Sequence, residues 1–303
     1  MIRLLVILLA VVAGSPLSAA ETNRQFHLPA LYHVGYWVRD ITKSRAFYKD
    51  YLGYDEPYVL NRTNGVLQMA VMKVNERQVI LLFPDATRIL PNGDNLDHLG
   101  LETDNIAAAR EYLLAHGVHV GAVGRGRIGD LLLGVKDPDG HAFELTQFMP
   151  EGQLLQHQGT NLAPGRVSSH LRSATIAVTN LAASLHFYVD ILGFKKIEGD
   201  AGKPGGAVRL QITDGTDYLD LMPYERKPDA AVARAVPDFS LEVADASKTA
   251  ELLTVRAKAL GFDPPAPVIM AADGRRQTSC VDPDGTRVVL KEESRRQSRA
   301  VTQ

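Results

Sequence analysis

The chain has 303 residues, 45% of them hydrophobic and 22% charged, and its net charge is −2. These are the values of a globular chain long enough for one large or two ordinary domains, and they exclude a disordered or fibrous one. The near balance of charge also excludes the basic footprint of a nucleic-acid binder or a strongly charged membrane surface.

Residues 1–20 differ from the rest. Arg3 precedes an apolar run from Leu4 to Ala13, Gly14-Ser15-Pro16 breaks it, and Ser18-Ala19-Ala20 places small residues before a cleavage point. A charged start, an apolar stretch too short to span a bilayer and a small-residue end mark a signal peptide. The mature chain is expected to start at Glu21 and to work in the periplasm or as a secreted protein. Loss of Arg3 takes the basic residues from 33 to 32 against 35 acidic, a net charge of −3. Cys280 is the single cysteine, so no internal disulfide can form and stability must come from the core.

Tyr32 to Val38 reads as a strand. Asp40 is a suitable N-cap for a helix through Tyr51, with Ile41, Ser44, Phe47, Tyr48, Tyr51 and Leu52 on one face and Gly53 ending it. Strand-like runs follow at 56–60, 66–74 and 78–83, which completes a βαβββ unit. A loop rich in Pro, Gly, Asn and Asp (84–97) leads to a second unit. Its strand begins at His98, its helix runs from about Asn105 to His116, and its last two strands flank the turn Asp137-Pro138-Asp139-Gly140. His98-Leu99-Gly100 repeats, 65 positions on, the earlier His33-Val34-Gly35.

A polar connector at 150–168 precedes a recurrence of the whole pattern. Phe187-Tyr188-Val189-Asp190-Ile191-Leu192-Gly193-Phe194 matches Phe47 to Tyr54 at an offset of 140, and Asp282-Pro283-Asp284-Gly285 matches the earlier turn at an offset of 145. A repeat at two levels is a specific signal of two modules, each a pair of βαβββ units. The expected divisions are a signal peptide at 1–20, one module at 30–149, the connector at 150–168, a second module at 169–292 and a disordered tail at 293–303.

With its F-Y-x-D-x-L-G helix and D-P-D-G-x-x-x-E ending, the layout resembles the vicinal oxygen chelate (VOC) superfamily, over nearly all of residues 30 to 292. That group includes glyoxalase I, fosfomycin-resistance thiol transferases, bleomycin-resistance proteins and extradiol dioxygenases. The resemblance implies an α+β fold of four βαβββ units in two glyoxalase-like modules, each sheet curling around a metal and a small-molecule substrate.

Pleat places Ala142, Glu144, Thr146 and Phe148 on one face of a strand, and pairs His33 with Gly35 and His98 with Gly100 on two others. The glycine after each histidine is expected to leave room for a metal or substrate against the sheet. Two imidazoles and one carboxylate with open positions form the facial set typical of non-haem Fe(II), which Mn(II) or Zn(II) would also fit. In the superfamily the positions matching His33, His98 and Glu144 are ligands in dioxygenases and fosfomycin-resistance enzymes. Glyoxalase I is similar but adds a fourth ligand on the strand matching 78–83, where this chain offers Val79, Ile80, Leu81 and Leu82. Extradiol enzymes add a histidine and a tyrosine that the matching stretches 81–84 and 131–135 lack. No catalytic base is therefore assigned.

In the second module the counterparts of the three ligands are Ser173, Asp238 and Val289, so no metal is expected there. His170 falls on the opposite strand face from that site, and Asp220 supplies no replacement set. His116 and His119 read as solvated, His141 points away from Glu144, and His157 and His186 carry no ligand geometry. Arg125-Gly126-Arg127 is a basic loop that could meet an anionic substrate, although a solvated loop is the commoner case. Tyr36, Trp37, Tyr58 and Gln68 are candidates for the pocket lining. The function this implies is an exported metal-dependent enzyme, glyoxalase- or extradiol-dioxygenase-like, as a monomer or homodimer. The alternative is a non-catalytic binding protein of the bleomycin-resistance type.

Overall fold

The computed structural model describes residues 24–87, 95–197, 206–224 and 239–293. The expected signal peptide, residues 294–303 of the expected tail, and Asp238 lie outside these.

The first unit comprises β1 (Leu31–Val38), α1 (Ile41–Arg45), β2 (Val59–Asn61), β3 (Leu67–Lys73) and β4 (Val79–Pro84). The second comprises β5 (Leu96–Glu102), α2 (Ile106–Ala115), β6 (Gly124–Arg125), β7 (Leu131–Lys136) and β8 (Ala142–Gln147). They join edge to edge in one eight-stranded sheet of order β2-β3-β4-β1-β5-β8-β7-β6, with β1 antiparallel to β5 at its centre. Strands from both units therefore meet along one seam.

The Asp40 carboxylate accepts the Thr42 and Lys43 amides, satisfying two of the free donors at the start of α1. The helix then departs from the even winding expected through Tyr51. Ala46–Tyr51 winds as a π-helix, which buries the adjacent Phe47 and Tyr48 together with Tyr51. Gly53 has φ +87°, and a Cβ there would stand 2.6 Å from the Gly165 carbonyl, so both conformation and space call for glycine.

The connector is not merely a polar link. It contains a short helix, α3 (Gln153–Gln156), which presses the fully buried Leu154 into a cluster with Tyr32, Met69, Val71, Val79 and Leu81 on the inner face of the first sheet. The buried Lys73 ammonium fastens the segment by donating to the carbonyls of His157 (2.6 Å) and Thr160 (2.8 Å) and pairing with Glu76 (2.8 Å).

The second half repeats the design with β9 (Leu171–Val178), α4 (Leu181–Leu185, continuing as a π-helix over His186–Ile191), β10 (Lys195–Lys196), β11 (Val208–Gln211) and β12 (Tyr218–Pro223). Its second unit is β13 (Phe239–Val243), α5 (Ala246–Leu260), β14 (Ile269–Met270), β15 (Arg276–Val281) and β16 (Arg287–Glu292). The order β10-β11-β12-β9-β13-β16-β15-β14 is the first sheet's order advanced by eight.

The two repeated motifs hold the modules to each other. The Tyr48 hydroxyl donates to Asp282 across the interface (3.1 Å), and Tyr188 donates to Asp137 in return (3.0 Å). Asp284 accepts the Arg39 amide (3.1 Å), and Asp139 accepts the Thr179 amide (3.1 Å). Phe262 packs against Phe47 and Tyr51 (5.6 and 5.5 Å between centroids), and one apolar core runs through both modules. Hydrogen bonds to buried carboxylates are worth about 1.5–3 kcal/mol each, so this reciprocal clasp is a substantial part of the interface.

Candidate metal centre

Strands β1, β5 and β8 are neighbours at the middle of the first sheet, and their register sets three side chains together. His33 lies opposite Gly100, His98 lies opposite Gly35, and Glu144 lies opposite Gly100 from the other side. Directly opposed residues share a face, so all three side chains rise from the inner face.

The two glycines have a different use from the one expected. A Cβ on Gly100 would stand 2.2 Å from Cε1 and 2.3 Å from Nδ1 of His33. A Cβ on Gly35 would stand 2.9 Å from Phe83 and 3.2 Å from Cε1 of His98. Each glycine makes room for the other unit's imidazole rather than for a metal or substrate. The rings end 4.7 Å apart, edge to face.

One ligand atom each from His33, His98 and Glu144 lies within 4.8 Å of the others, and this is the group of that kind found among the described residues. Three donors about 2.1 Å from one ion in a facial arrangement stand roughly 3.0–3.4 Å apart, so binding would draw these side chains together by up to about 1.8 Å. His33 is 1% exposed, and neither ring nitrogen has a hydrogen-bond partner among the described residues. Burial holds its pKa well below the ordinary value, with a smaller push from His98, so the ring is neutral and its lone pair available. The Asp97 carboxylate sits 2.6 Å from Nδ1 of His98, which favours the tautomer with the lone pair on Nε2. Burial raises the Glu144 carboxyl, His98 and the Thr146 hydroxyl oppose that shift, and Thr146 donates to Oε1 at 3.1 Å. A neutral donor pair, a carboxylate and supporting hydrogen bonds fit a divalent ion.

Around this set the sheet is apolar. Val79 and Leu81 oppose His33 and Gly35 on β4, where a fourth ligand would stand. Gly134 opposes Glu144 on β7, and Leu132 opposes Thr146, so that strand supplies no acid or base.

The second module shows the same register with other side chains. Ser173 pairs with Ser240, and Ser240 with Val289, as His33 pairs with Gly100 and Gly100 with Glu144. Where the imidazole is gone the glycine is gone as well. Ser240 fills the space and its hydroxyl bonds that of Ser173 at 2.7 Å. His170 is 2.6 Å from Asp217, and Asp220 takes two 2.7 Å hydrogen bonds from Arg209, so both are occupied.

Several candidate residues have other work. Arg125 donates to the Gly129 carbonyl and pairs with Glu151, while Arg127 bonds Gln68 and the Asn61 carbonyl, so the basic loop and Gln68 are bound to each other's surroundings. Tyr36 points to the opposite face, where its ring lies 5.7 Å from Phe239 in the inter-module core. Trp37 packs on Phe83 (5.6 Å) at the rim, and Tyr58 joins the inner-face cluster. His116 and His119 are exposed. His141 is 2.8 Å from Asp137, and His157 and His186 bond within their own helices.

Three residues near the centre were missed. Asp97 is one, although its place beside His98 was the available signal. Tyr32 is the second. Leu31 pairs with Leu101 and His33 with Gly100, so Tyr32 is the extra residue of a β-bulge, which turns it to the same face as His33 (ring centroids 4.5 Å apart). Strict alternation would have sent it to the other face. The third, Asp130, comes from a loop that no periodicity marks.

A model of the Glyoxalase/Bleomycin resistance protein/Dioxygenase superfamily matches residues 30–145 and again 170–290. The structure is similar to that of the Mn(II)-bound glyoxalase from Novosphingobium aromaticivorans, at 20% identity and a TM-score of 0.64, over 88% of this chain and 83% of that one. It is similar as well to the 2,3-dioxygenase LapB from Pseudomonas sp. KL28, at 14% identity and a TM-score of 0.66, over 88% and 93% of the two chains. At these identities the likeness is one of fold. In sequence, the uncharacterized protein YwbC of Bacillus subtilis (strain 168) is 35% identical over 78 residues, which are 25% of this chain and 62% of that protein.

Proposed function

The chain belongs to the glyoxalase/bleomycin resistance protein/dioxygenase superfamily, and from that membership we propose a metal-dependent enzyme whose divalent ion is held by His33, His98 and Glu144. Fe(II) is the favoured ion, and Mn(II) and Zn(II) are compatible with the donor set. The observation that carries this reading is His33, an imidazole buried to 1% exposure with both nitrogens lacking a hydrogen-bond partner. Buried polar atoms are rarely left so, and an ion answers the deficit. When bound, the ion supplies Lewis-acid chemistry toward two neighbouring oxygens of a small-molecule substrate, or the redox chemistry that iron brings to O₂.

The protein's own groups then have defined parts. Asp97 orients the His98 ring, Thr146 steadies the Glu144 carboxylate, and the bare backbone at Gly35 and Gly100 leaves room for both imidazoles close to the strands. Val79, Leu81 and Phe83 keep water from the side of the site away from Glu144. The leader sequence supports action in the periplasm or outside the cell. The absence of an acid or base on the inner-face positions of β4 and β7 favours, as a second reading, sequestration of a small ligand without turnover.

Metal analysis of the purified mature protein beside a His98→Ala variant tests the proposal. Stoichiometric iron supports oxygen chemistry and another divalent ion supports Lewis-acid chemistry. Wild-type protein that takes up no ion from iron, manganese or zinc refutes it in favour of simple binding.

A further inference from the structure

A second group of buried polar atoms lies on the wall of this site. Asp130 is fully buried; its Oδ1 accepts the Met149 amide at 2.9 Å, and its Oδ2 has no partner among the described residues. The fit is close, since a Cβ on Gly152, the residue that starts α3, would stand 2.1 Å from Oδ1. The hydroxyls of Tyr32 and Tyr58 are likewise buried and lie within reach of each other, and neither has a further partner among the described residues. Both rings belong to the inner-face cluster with Leu154 and Phe148.

Asp130 lies against Gly152 at the start of α3, Leu154 of that helix packs with both tyrosines, and the Tyr32 ring lies 4.5 Å from that of His33. Burial raises the Tyr32 phenol, and Tyr58, Asp130 and Glu144 add to the shift; burial raises Tyr58, Asp130 adds to it, and the hydrogen bond with Tyr32 opposes it. Buried polar groups are rarely left unsatisfied, and the open Asp130 oxygen beside two phenols that have only each other calls for a partner from outside the chain.

We infer that Asp130, Tyr32 and Tyr58 form a polar subsite for the end of the substrate remote from the metal, and that this end carries a hydrogen-bond donor, a hydroxyl or an ammonium group. The subsite rests on the metal reading, which supplies the other point of attachment. Burial raises the Asp130 carboxyl, and the Met149 amide and Arg125 oppose that shift; a ligand that brings a proton donor stabilises the carboxylate form, whose oxygens only accept. A carboxylate on the substrate would instead meet Asp130 as a like charge, and the nearby Arg125 and Arg127 are already engaged by Glu151, Gln68 and backbone carbonyls.

The test uses Mn(II)-loaded full-length mature protein and four diols alike at one end: 4-ethylcatechol, 4-(2-hydroxyethyl)catechol, dopamine and 3,4-dihydroxyphenylacetate. Affinities are read by anaerobic titration calorimetry. The hydroxyl and ammonium probes are expected to bind about 10-fold or more tightly than the carboxylate probe, the ratio that one charge-assisted hydrogen bond supplies. Asp130→Asn, which keeps an oxygen acceptor for Met149, should bring dopamine and the carboxylate probe to within about threefold and leave 4-ethylcatechol unchanged. Tyr58→Phe should weaken the hydroxyl probe alone. A carboxylate probe that binds best, or an order unmoved by Asp130→Asn, overturns the subsite and assigns these groups to an internal water. Manganese content is measured separately, so loss of the metal site and loss of the subsite give different results.

Discussion

Replacing Gly100 with alanine would set a methyl group against the His33 ring, 2.2, 2.3 and 2.6 Å from Cε1, Nδ1 and Nε2. Ordinary carbon contacts lie at about 3.5–4.0 Å, so the ring would have to retreat by more than about 1 Å. It has nowhere near to go, because Tyr32 stands 4.5 Å and His98 4.7 Å from its centre. Overpacking of this kind costs about 1–3 kcal/mol, and the ring that moves leaves the reach of Glu144. The expected outcome is a metal-free protein with thermal stability lowered by several degrees, measured by metal analysis and calorimetry in chelator. Gly35→Ala should be milder, since its nearest atoms stand at 2.9 and 3.2 Å. The paired change His33→Ser with Gly100→Ser recreates the Ser173–Ser240 arrangement of the second module and should recover much of the stability without recovering metal. A Gly100→Ala protein that binds metal as the wild type does would refute the assignment of that glycine to the His33 ring.

Further outcomes follow from other contacts. Asp97→Ala should weaken metal binding by about 10–100-fold through loss of the His98 orientation, read by chelator competition, and unchanged affinity would exclude that role. Metal at 100 times its dissociation constant should stabilise the wild type by about 2.7 kcal/mol and leave His33→Ala unmoved; an equal shift in both would place the ion elsewhere. Tyr188→Phe removes the donor to buried Asp137 at the module interface and should cost about 1.5–3 kcal/mol in urea unfolding, while a neutral result would show the clasp to be dispensable. Asp273 is held down to about 2 by hydrogen bonds from Arg275 and Lys291, which outweigh burial. A depressed carboxylate stabilises the fold above its unfolded pKa of about 3.9, and that contribution fades as pH falls toward 2. With its side chain 35% exposed, the effect after solvent screening is at most about 1 kcal/mol. Asp273→Asn should flatten the stability profile between those limits, and an unaltered slope would contradict the ion pair.

Much of the site was legible because alternation along a strand is a local property. His33, His98 and Glu144 each open or sit within a short apolar run, and the recurrence of their surroundings set them at equivalent places in two units. The resemblance pointed to strand 78–83 for a fourth ligand and the residues there are apolar, while the register that sets Val79 and Leu81 against His33 and Gly35 came from the structure. Strand parity failed at Tyr32, where one extra residue between paired positions reverses the alternation, and it held at Tyr36, which lies on the face opposite His33 and so is no part of the pocket lining. The π-wound turns at Ala46–Tyr51 and His186–Ile191 escaped notice for a similar reason: a single added residue per turn leaves no mark in a pattern of apolar spacing.

By itself the amino-acid sequence determined the paired βαβββ units, the doubled module and the serine and valine that stand in the second half where His33 and Glu144 stand in the first, since each is written in neighbouring residues or in their repetition. Only the tertiary structure decided what crosses between elements far apart in the chain. It turned the Phe-Tyr and Asp-Pro-Asp-Gly motifs into a clasp between modules, gave each glycine to the opposite unit's imidazole, and brought Asp130 to Tyr32 and Tyr58. Such meetings depend on strand order, on register and on one bulge, which are set by the free energy of the whole packed sheet.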